Sequence, residues 1–291
     1  MSASRLHQQS EGRLTSADGT RLYWRGWEVA GASIALAVVP GLGDHSGRYE
    51  SLAQAMARSG ISTFAVDLRG MGRSPGQRGH LRRWHLWEED LAALVRLAGE
   101  RSPAAEVVPL GHSFGGLVVV SSLLSGRLAC SRFALSNPAF RLALSVPGWK
   151  LALGRGASLL LPRLALANGL DPTLLSNRPE VAQAYRDDPL VHDRISSRLF
   201  TEWAAAVNRA QAGARALSQP YLLILGAQDA LIDGRGALEF AHQSRSADVR
   251  EYLRRRHEPF NDTGADEVFG DLGTWLLDRG GVSSEPAADR I

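Results

Sequence analysis

The sequence predicts an α/β fold in which a mostly parallel central sheet carries helices on both faces. Short apolar runs that are typical of buried strands alternate along the chain with longer helix-like runs. The chain has 291 residues, of which 44% are hydrophobic, so it can bury a large core, and one α/β domain can reach this size. Strand-like patterns lie at 34–39, 107–110, 133–137, 221–226 and 249–253.

The most informative motif follows the second of these strands. Residues 111–115 read Gly-His-Ser-Phe-Gly, and a helix-like run begins at Gly116. This G-x-S-x-G pattern between a strand and a helix is typical of a nucleophile elbow, in which a sharp turn presents the serine hydroxyl. Small residues are needed beside such a turn, which explains Gly111 and Gly115. We therefore expect Ser113 to be a catalytic nucleophile.

A serine nucleophile needs a base, and the base needs an acid that orients it. In this fold the acid and the base follow the serine, in that order. Asp229 comes just after the strand at 221–226, and His257 comes after the strand at 249–253 on a loop that contains Pro259. Asp233 competes with Asp229, but its position before a helix-like run favours an N-cap. The pattern favours Asp229 as the acid and His257 as the base.

Two other histidines lie near these motifs. His112 lies inside the elbow, where a side chain more often packs than catalyses. His45 follows the strand at 34–39 and is the other histidine that we expect to approach the site.

An oxyanion hole is the third requirement of acyl transfer, because negative charge develops on the carbonyl oxygen. One donor is expected to be the backbone N–H of Phe114, and the other that of Leu42 in the glycine-rich loop after the strand at 34–39. A dinucleotide phosphate loop is the rival interpretation of this segment. It is disfavoured because Ser46 replaces the third small residue and Asp44 would repel a phosphate.

With these motifs the chain resembles the monoacylglycerol lipase and lysophospholipase branch of the α/β-hydrolases from about residue 12 to residue 278. The resemblance implies the α/β-hydrolase fold with an inserted helical cap, the triad Ser113, Asp229 and His257, and oxyanion donors at Leu42 and Phe114. The matching stretches are 41–49 (GLGDHSGRY), 67–74 (DLRGMGRS), 111–116 (GHSFGG), 170–176 (LDPTLLS), 185–192 (YRDDPLVH) and 257–262 (HEPFND).

One position departs from this family pattern. The family usually has His-Gly where this chain has Pro40-Gly41. The expected donor is a backbone N–H two residues later, so we expect the oxyanion hole to survive. The change alters the local hydrogen bonding that fixes the loop.

The segment 139–207 is too long for an ordinary connection, so we expect an inserted cap there, with 1–138 and 208–291 forming the hydrolase core. Residues 149–164 are apolar with scattered basic residues. The inner face of the cap is expected to form an acyl pocket, with Leu159 and Leu160 as candidate substrate-binding residues. Its outer face is expected to touch lipid surfaces transiently.

Composition excludes several other classes. The chain has 33 basic and 30 acidic residues, and their interspersion favours a solvated surface over nucleic-acid binding. The histidines show no metal-ligand spacing, and neither a metal nor an organic cofactor is implied. The single cysteine suits a reducing compartment, and residues 1–12 lack the apolar core of a signal peptide. A cytoplasmic protein is expected, with peripheral contact at the membrane as an alternative.

These observations predict a serine carboxylester hydrolase that acts on a lipid-like ester, a monoacylglycerol or a lysophospholipid, through an acyl-enzyme. An aminopeptidase or a cofactor-free haloperoxidase on the same triad stays open. The aminopeptidase would need acidic cap residues for the substrate amine, for which Glu180, Asp187 and Asp188 are candidates. A non-catalytic binding protein is a further alternative. The intact triad argues against it.

Overall fold

The computed structural model describes residues 7–143, 154 and 156–278. Eight of the described strands form one sheet in the order β1-β2-β4-β3-β5-β6-β9-β10, and β7 and β8 form a separate antiparallel pair. In the large sheet β2 runs antiparallel to β1 and β4, and all other neighbouring strands are parallel. The strands are β1 (Gln8–Thr15), β2 (Arg21–Glu28), β3 (Ile34–Val39), β4 (Ser62–Val66), β5 (Glu106–His112), β6 (Phe133–Ser136), β7 (Ala165–Ala167), β8 (Arg194–Ser196), β9 (Tyr221–Gly226) and β10 (Ala247–Tyr252).

Helices cover both faces of the sheet. Helices α1 and α7 pack on one face, and α2, α3, α5 and α6 pack on the other. The prediction of a mostly parallel sheet between two helical layers is confirmed. The helices whose residues are all described are α1 (Glu50–Arg58), α2 (His85–Arg101), α3 (Phe114–Leu124), α4 (Pro179–Asp187), α5 (Ser197–Gly213), α6 (Gly234–Ser244) and α7 (Ala265–Leu277).

Strand β3 shows why the central strands are continuous apolar runs in the sequence. All six of its residues are buried. Residues 35, 37 and 39 belong to the core beneath α2 and α3, while residues 34, 36 and 38 belong to the core beneath α1 and α7. Side chains of a strand point alternately to the two faces, so a sheet that is covered on both sides requires apolar residues at every position.

The predicted insertion contains α4, the β7–β8 pair and a helical segment at 156–160. Helix α5 runs across the predicted boundary at residue 207 and packs on the core through Leu199, Trp203 and Ala206. The division into core and cap therefore stays a prediction. Residues 144–153 and 155 lie outside the described residues, so the structure does not address Trp149 and Lys150 of the apolar run.

The topology gathers the predicted site residues at one edge of the sheet. The loop after β3, the turn after β5 and the loops after β9 and β10 all leave the carboxyl ends of parallel strands. Ligands of open α/β sheets bind in the crevice outside these ends. Among the described residues, no helix combines the length and the hydropathy needed to cross a bilayer.

Candidate active site

Ser113 occupies a strained turn between β5 and α3. Its φ is 53° and its ψ is −119°, a conformation that non-glycine residues rarely adopt. A Cβ atom at Gly111 would lie 2.3 Å from the carbonyl oxygen of Gly115, and one at Gly115 would lie 2.1 Å from that of Val39. The two glycines therefore permit a backbone approach that a larger residue would block, and the turn depends on them.

Asp229 and His257 come from different loops, and their side chains form a buried hydrogen bond. The carboxylate only accepts hydrogen bonds, so His257 Nδ1–H donates to Asp229 Oδ2, at 2.7 Å. The other carboxylate oxygen, Oδ1, accepts from the N–H groups of Leu231 at 2.8 Å and Ile232 at 2.9 Å. Burial alone would lower the pKa of His257, but the charge and hydrogen bond of Asp229 outweigh it and raise that pKa. A neutral His257 thus keeps its Nε2 lone pair for a proton.

Asp233 has a different role from Asp229. Its side chain accepts a hydrogen bond from the Arg235 N–H at 3.1 Å and caps the N-terminus of α6. The prediction that Asp233 is an N-cap is confirmed.

The two other histidines that the sequence singled out have different surroundings. His112 is buried, with its ring centroid 4.9 Å from that of His257. Burial, together with the nearby charge of His257, lowers the pKa of His112 well below its ordinary value. His112 is therefore a neutral packing partner of His257. His45 lies on the loop after β3, where its Nε2 contacts Asp188.

The two residues expected to supply the oxyanion donors both lie at the cavity that contains Ser113. Leu42 and Phe114 both line the cavity into which Ser113 and His257 open. A Cβ atom at Gly41 would lie 3.4 Å from the Cβ of Ser113, so the loop passes directly beside the serine. Neither the Leu42 nor the Phe114 N–H donates a hydrogen bond to another residue in the described part of the chain. Each amide thus lacks an internal acceptor among these residues, as an oxyanion donor requires.

A buried charged cluster adjoins His257. Both terminal nitrogens of Arg48 donate to Glu258, at 2.8 and 2.7 Å, and the guanidinium lies 4.8 Å from the Tyr185 ring centroid. Asp44 lies 3.5 Å from Arg48 and accepts from the Tyr49 hydroxyl at 3.2 Å. Burial raises the pKa of Asp44, although the charge of Arg48 opposes that rise. The cluster places fixed polar groups in the cavity wall next to the expected base.

The cavity itself has a volume of about 830 Å³, within the range of small-molecule sites. Away from the charged cluster its wall is largely apolar. The apolar side chains in the wall include those of Leu42, Leu142, Leu164, Leu166, Leu170, Leu174, Ile195, Phe200, Trp203, Leu231 and Ile232.

Leu159 and Leu160 do not face this cavity, which corrects the expectation that they bind substrate. They are 77% and 82% exposed, and neither is among the described residues that line the cavity. The helical segment 156–160 instead turns Ala157 toward the cavity. Leu159 follows Ala157 by two positions, about 200° around a helix, so it points away from the face that carries Ala157. Leu160 lies closer to that face, but its exposure places it outside the cavity.

The three acidic residues proposed for an amine lie elsewhere as well. Glu180 pairs with Arg178 at 2.9 Å on the exposed surface, and Asp187 accepts from Gln183 at 3.0 and 2.9 Å. Asp188 contacts His45. Within the described ranges none of the three acidic residues lines the cavity.

Sequence reasoning missed the charged cluster. Asp44, Arg48 and Glu258 all lie in stretches that carry the family resemblance. No local sequence pattern, however, predicts the contact between residues 48 and 258. In the residues that the structure describes, no group of three or more His, Cys, Asp or Glu side chains is arranged to hold a metal ion.

The central sheet and the serine on a strand-to-helix elbow define the chain as an α/β-hydrolase. It belongs to the family described as "Serine aminopeptidase, S33", which it matches over residues 32–264.

Relatives match nearly the whole chain. A monoacylglycerol lipase of Mycolicibacterium smegmatis is 31% identical over 280 residues, which are 92% of this chain and 97% of that protein. The human monoglyceride lipase is 29% identical over 288 residues, which are 94% and 93% of the two chains. The crystal structure of a Paleococcus ferrophilus monoacylglycerol lipase has a TM-score of 0.78 and 30% identity, covering 88% of this chain and 98% of that one. The predicted resemblance to the monoacylglycerol lipase branch is confirmed, and the chain is a serine ester hydrolase.

Proposed function

We propose that the chain hydrolyses the ester bond of monoacylglycerols through an acyl-enzyme on Ser113. The observation that carries this proposal is a large apolar cavity that holds Ser113 and has one charged, hydrogen-bonding cluster beside His257. Such a cavity fits an amphiphilic ester, with its acyl chain in the apolar part and its alcohol at the polar cluster.

The chemistry follows from the positions of the side chains. Ser113 Oγ attacks the ester carbonyl as His257 takes its proton on Nε2, and the Leu42 and Phe114 N–H groups stabilise the oxyanion. The tetrahedral intermediate breaks its bond to the alcohol oxygen, which receives the proton from His257. Water then attacks the acyl-enzyme by the same route, and the fatty acid leaves. Asp229 keeps Nδ1 protonated and stabilises the imidazolium throughout.

The polar cluster favours an uncharged alcohol over a phosphorylated one. Arg48 already donates both terminal nitrogens to Glu258, and Asp44 adds a second carboxyl group. A phosphate there would face two carboxyl groups and no free guanidinium fork. Glycerol hydroxyls both donate and accept, so they fit this cluster. This is why we favour monoacylglycerol over lysophospholipid.

The same cluster weighs against an aminopeptidase. A substrate ammonium needs a carboxylate that is free of other cations. The two carboxyl groups in the cavity wall, Asp44 and Glu258, both contact the Arg48 guanidinium, which would repel an ammonium group.

We further propose that the outer surface of the insertion contacts lipid. Leu159, Leu160 and Leu161 are 77%, 82% and 58% exposed. Leu164 and Leu166 are 47% and 63% exposed and also line the cavity. An exposed cluster of leucines of this kind marks an interaction surface, and its continuity with the cavity would let an ester pass from lipid to Ser113.

Initial rates on three substrates of equal acyl length test the function: 1-monoacylglycerol, lysophosphatidylcholine and an aminoacyl amide. We expect the glycerol ester to have the highest kcat/KM, by about tenfold or more over the lysolipid, and Ser113→Ala to abolish hydrolysis. A higher rate on the lysolipid would refute the role given to the cluster. A higher kcat/KM on the amide would instead support a peptidase.

The lipid-contact proposal has its own test. Leu159→Asp/Leu160→Asp should leave kcat/KM on monomeric short-chain esters unchanged, because neither side chain lines the cavity, but should lower the rate on substrate held in vesicles several-fold. Leu277→Asp is a matched control, since Leu277 is 47% exposed at the end of α7. There Arg132, which precedes β6, donates to the carbonyl oxygens of the last residues of α7, at the edge of the sheet opposite the site. Equal effects of the two variants on vesicle substrate would contradict a specific contact surface.

A further inference from the structure

The loop that carries the Leu42 N–H is held by contacts at its far end. Within this loop the Ser46 N–H donates to Asp67 Oδ1 at 2.7 Å, which ties it to the core. Pro40, at the near end, has no N–H and no polar side chain, so it contributes no donor that could fix the loop. The position of Leu42 therefore depends on what holds residues 43–46.

Two of these holding contacts come from the insertion. The His192 N–H donates to the carbonyl oxygen of Gly43 at 3.1 Å. A Cβ atom at Gly43 would lie 2.0 Å from the His192 carbonyl oxygen, so only glycine permits this approach. The second contact joins His45 to Asp188, just beyond α4.

His45 connects the loop to Asp188 through both of its ring nitrogens. Nδ1 accepts from the Gly47 N–H at 3.1 Å, so Nε2 carries the proton and donates to Asp188 Oδ2 at 2.8 Å. Only 7% of the His45 side chain and 26% of the Asp188 side chain are exposed. The Leu190 N–H donates to the other oxygen of Asp188 at 2.8 Å. A half-buried carboxylate with its orientation fixed in this way holds the imidazole in one tautomer and one place.

We infer that Asp188, acting through His45, is a positioning residue that sets the oxyanion loop so that the Leu42 N–H points at the reacting carbonyl. This inference rests on the proposed function. It makes the insertion part of the support of the oxyanion hole as well as a wall of the cavity. The insertion thereby supplies the hydrogen bonds to the oxyanion loop that Pro40 cannot provide.

The neighbouring carboxylate provides a matched control. Asp187 is exposed, and among the described residues its side chain forms hydrogen bonds only with Gln183. Asp188→Ala should lower kcat on a monomeric ester about tenfold, less than the full loss of one donor, and should leave KM within about twofold. Asp187→Ala should stay within about twofold of the parent in both constants. Thermal unfolding midpoints show whether each variant is folded.

A readout specific to the oxyanion separates positioning from general damage. An alkyl trifluoromethyl ketone adds to the serine as a hemiketal whose alkoxide occupies the oxyanion hole, so its Ki should rise in Asp188→Ala by the same factor by which kcat falls. His45→Ala should reproduce both effects. The double variant should be little worse than the worse single one, because both changes remove the same contact. His45→Ala also serves as the test if Asp188→Ala does not fold.

The failure of this inference and the failure of the proposed function give different experimental results. If Asp188→Ala matches Asp187→Ala, or if kcat falls while the Ki of the ketone is unchanged, the inference is wrong although the proposed function stands. If Ser113→Ala retains the ester hydrolysis, the proposed function itself fails.

Discussion

Replacing Asp229 by Asn tests the expected acid, because the structure dictates how the new side chain must sit. Asp229 Oδ1 accepts from two backbone N–H groups, those of Leu231 and Ile232. The single oxygen of Asn must take that place, so its NH₂ group faces His257 Nδ1. Two donors then oppose each other, and His257 must shift its proton to Nε2. In that tautomer it cannot accept the proton of Ser113.

The expected decrease in kcat follows from this change of tautomer. An acid-to-amide change of this kind lowers kcat by about 10⁴-fold in another serine hydrolase, or about 5.4 kcal/mol in activation free energy. Asp229→Asn should also move the acidic limb of the kcat/KM profile. In the parent, Asp229 raises the pKa of His257, and the base is active only when neutral, so activity rises through a pKa above the ordinary histidine value. Without the carboxylate, that midpoint should fall to lower pH.

Initial rates on a soluble p-nitrophenyl ester from pH 5 to 9 measure both effects. Asp233→Asn is the control, because Asn caps a helix as well as Asp does, so its rates should stay close to those of the parent. The reasoning would be refuted if Asp229→Asn kept kcat within tenfold of the parent, or if Asp233→Asn proved the more damaging variant.

Three further predictions concern the nucleophile, the oxyanion loop and the cavity. Ser113→Ala and His257→Ala should each lower kcat by roughly 10⁴- to 10⁶-fold, and steady-state rates of the double variant should be little lower; additive losses would mean that the two side chains do not act as a unit. Leu42→Pro removes one N–H and should lower kcat on the order of 10²-fold or more, whereas Pro40→His should stay within about tenfold; a folded Leu42→Pro protein with normal kcat would locate the second donor elsewhere. Across monomeric p-nitrophenyl esters, kcat/KM should climb roughly two- to fourfold per methylene until the cavity is full, and Ala157→Phe, which adds volume to the cavity wall, should end that climb at a shorter chain; a flat profile would contradict the acyl pocket.

The fold was predictable because its signals are local. The strand β3 and the turn at Gly111 to Gly115 are encoded in consecutive residues whose burial or backbone geometry permits few alternatives. The N-cap at Asp233 is likewise a short-range signal. The acid and the base could be predicted because each lies on a loop directly after a predicted strand.

The charged cluster and the orientation of the insertion were not predictable in this way. Arg48 and Glu258 are brought together only by the tertiary fold, and a single sequence gives no indication of such a distant contact. Leu159 and Leu160 were expected to face inward because they are apolar. Apolarity alone does not give direction, and the small Ala157 faces the cavity instead. Asp188 could not be told from Asp187 until His45 was seen beside it.

Labelling with a long-chain alkyl fluorophosphonate tests the central claim most directly. The residue that carries the label and the remaining activity of the labelled protein are the two quantities measured. We predict that one probe attaches per chain, that peptide mass spectrometry finds it on Ser113, and that monoacylglycerol hydrolysis falls in proportion to the labelled fraction. A monoacylglycerol present during labelling should slow the reaction by occupying the same cavity. Attachment at another residue, or undiminished monoacylglycerol hydrolysis by fully labelled protein, would contradict the claim that Ser113 in this cavity is the nucleophile.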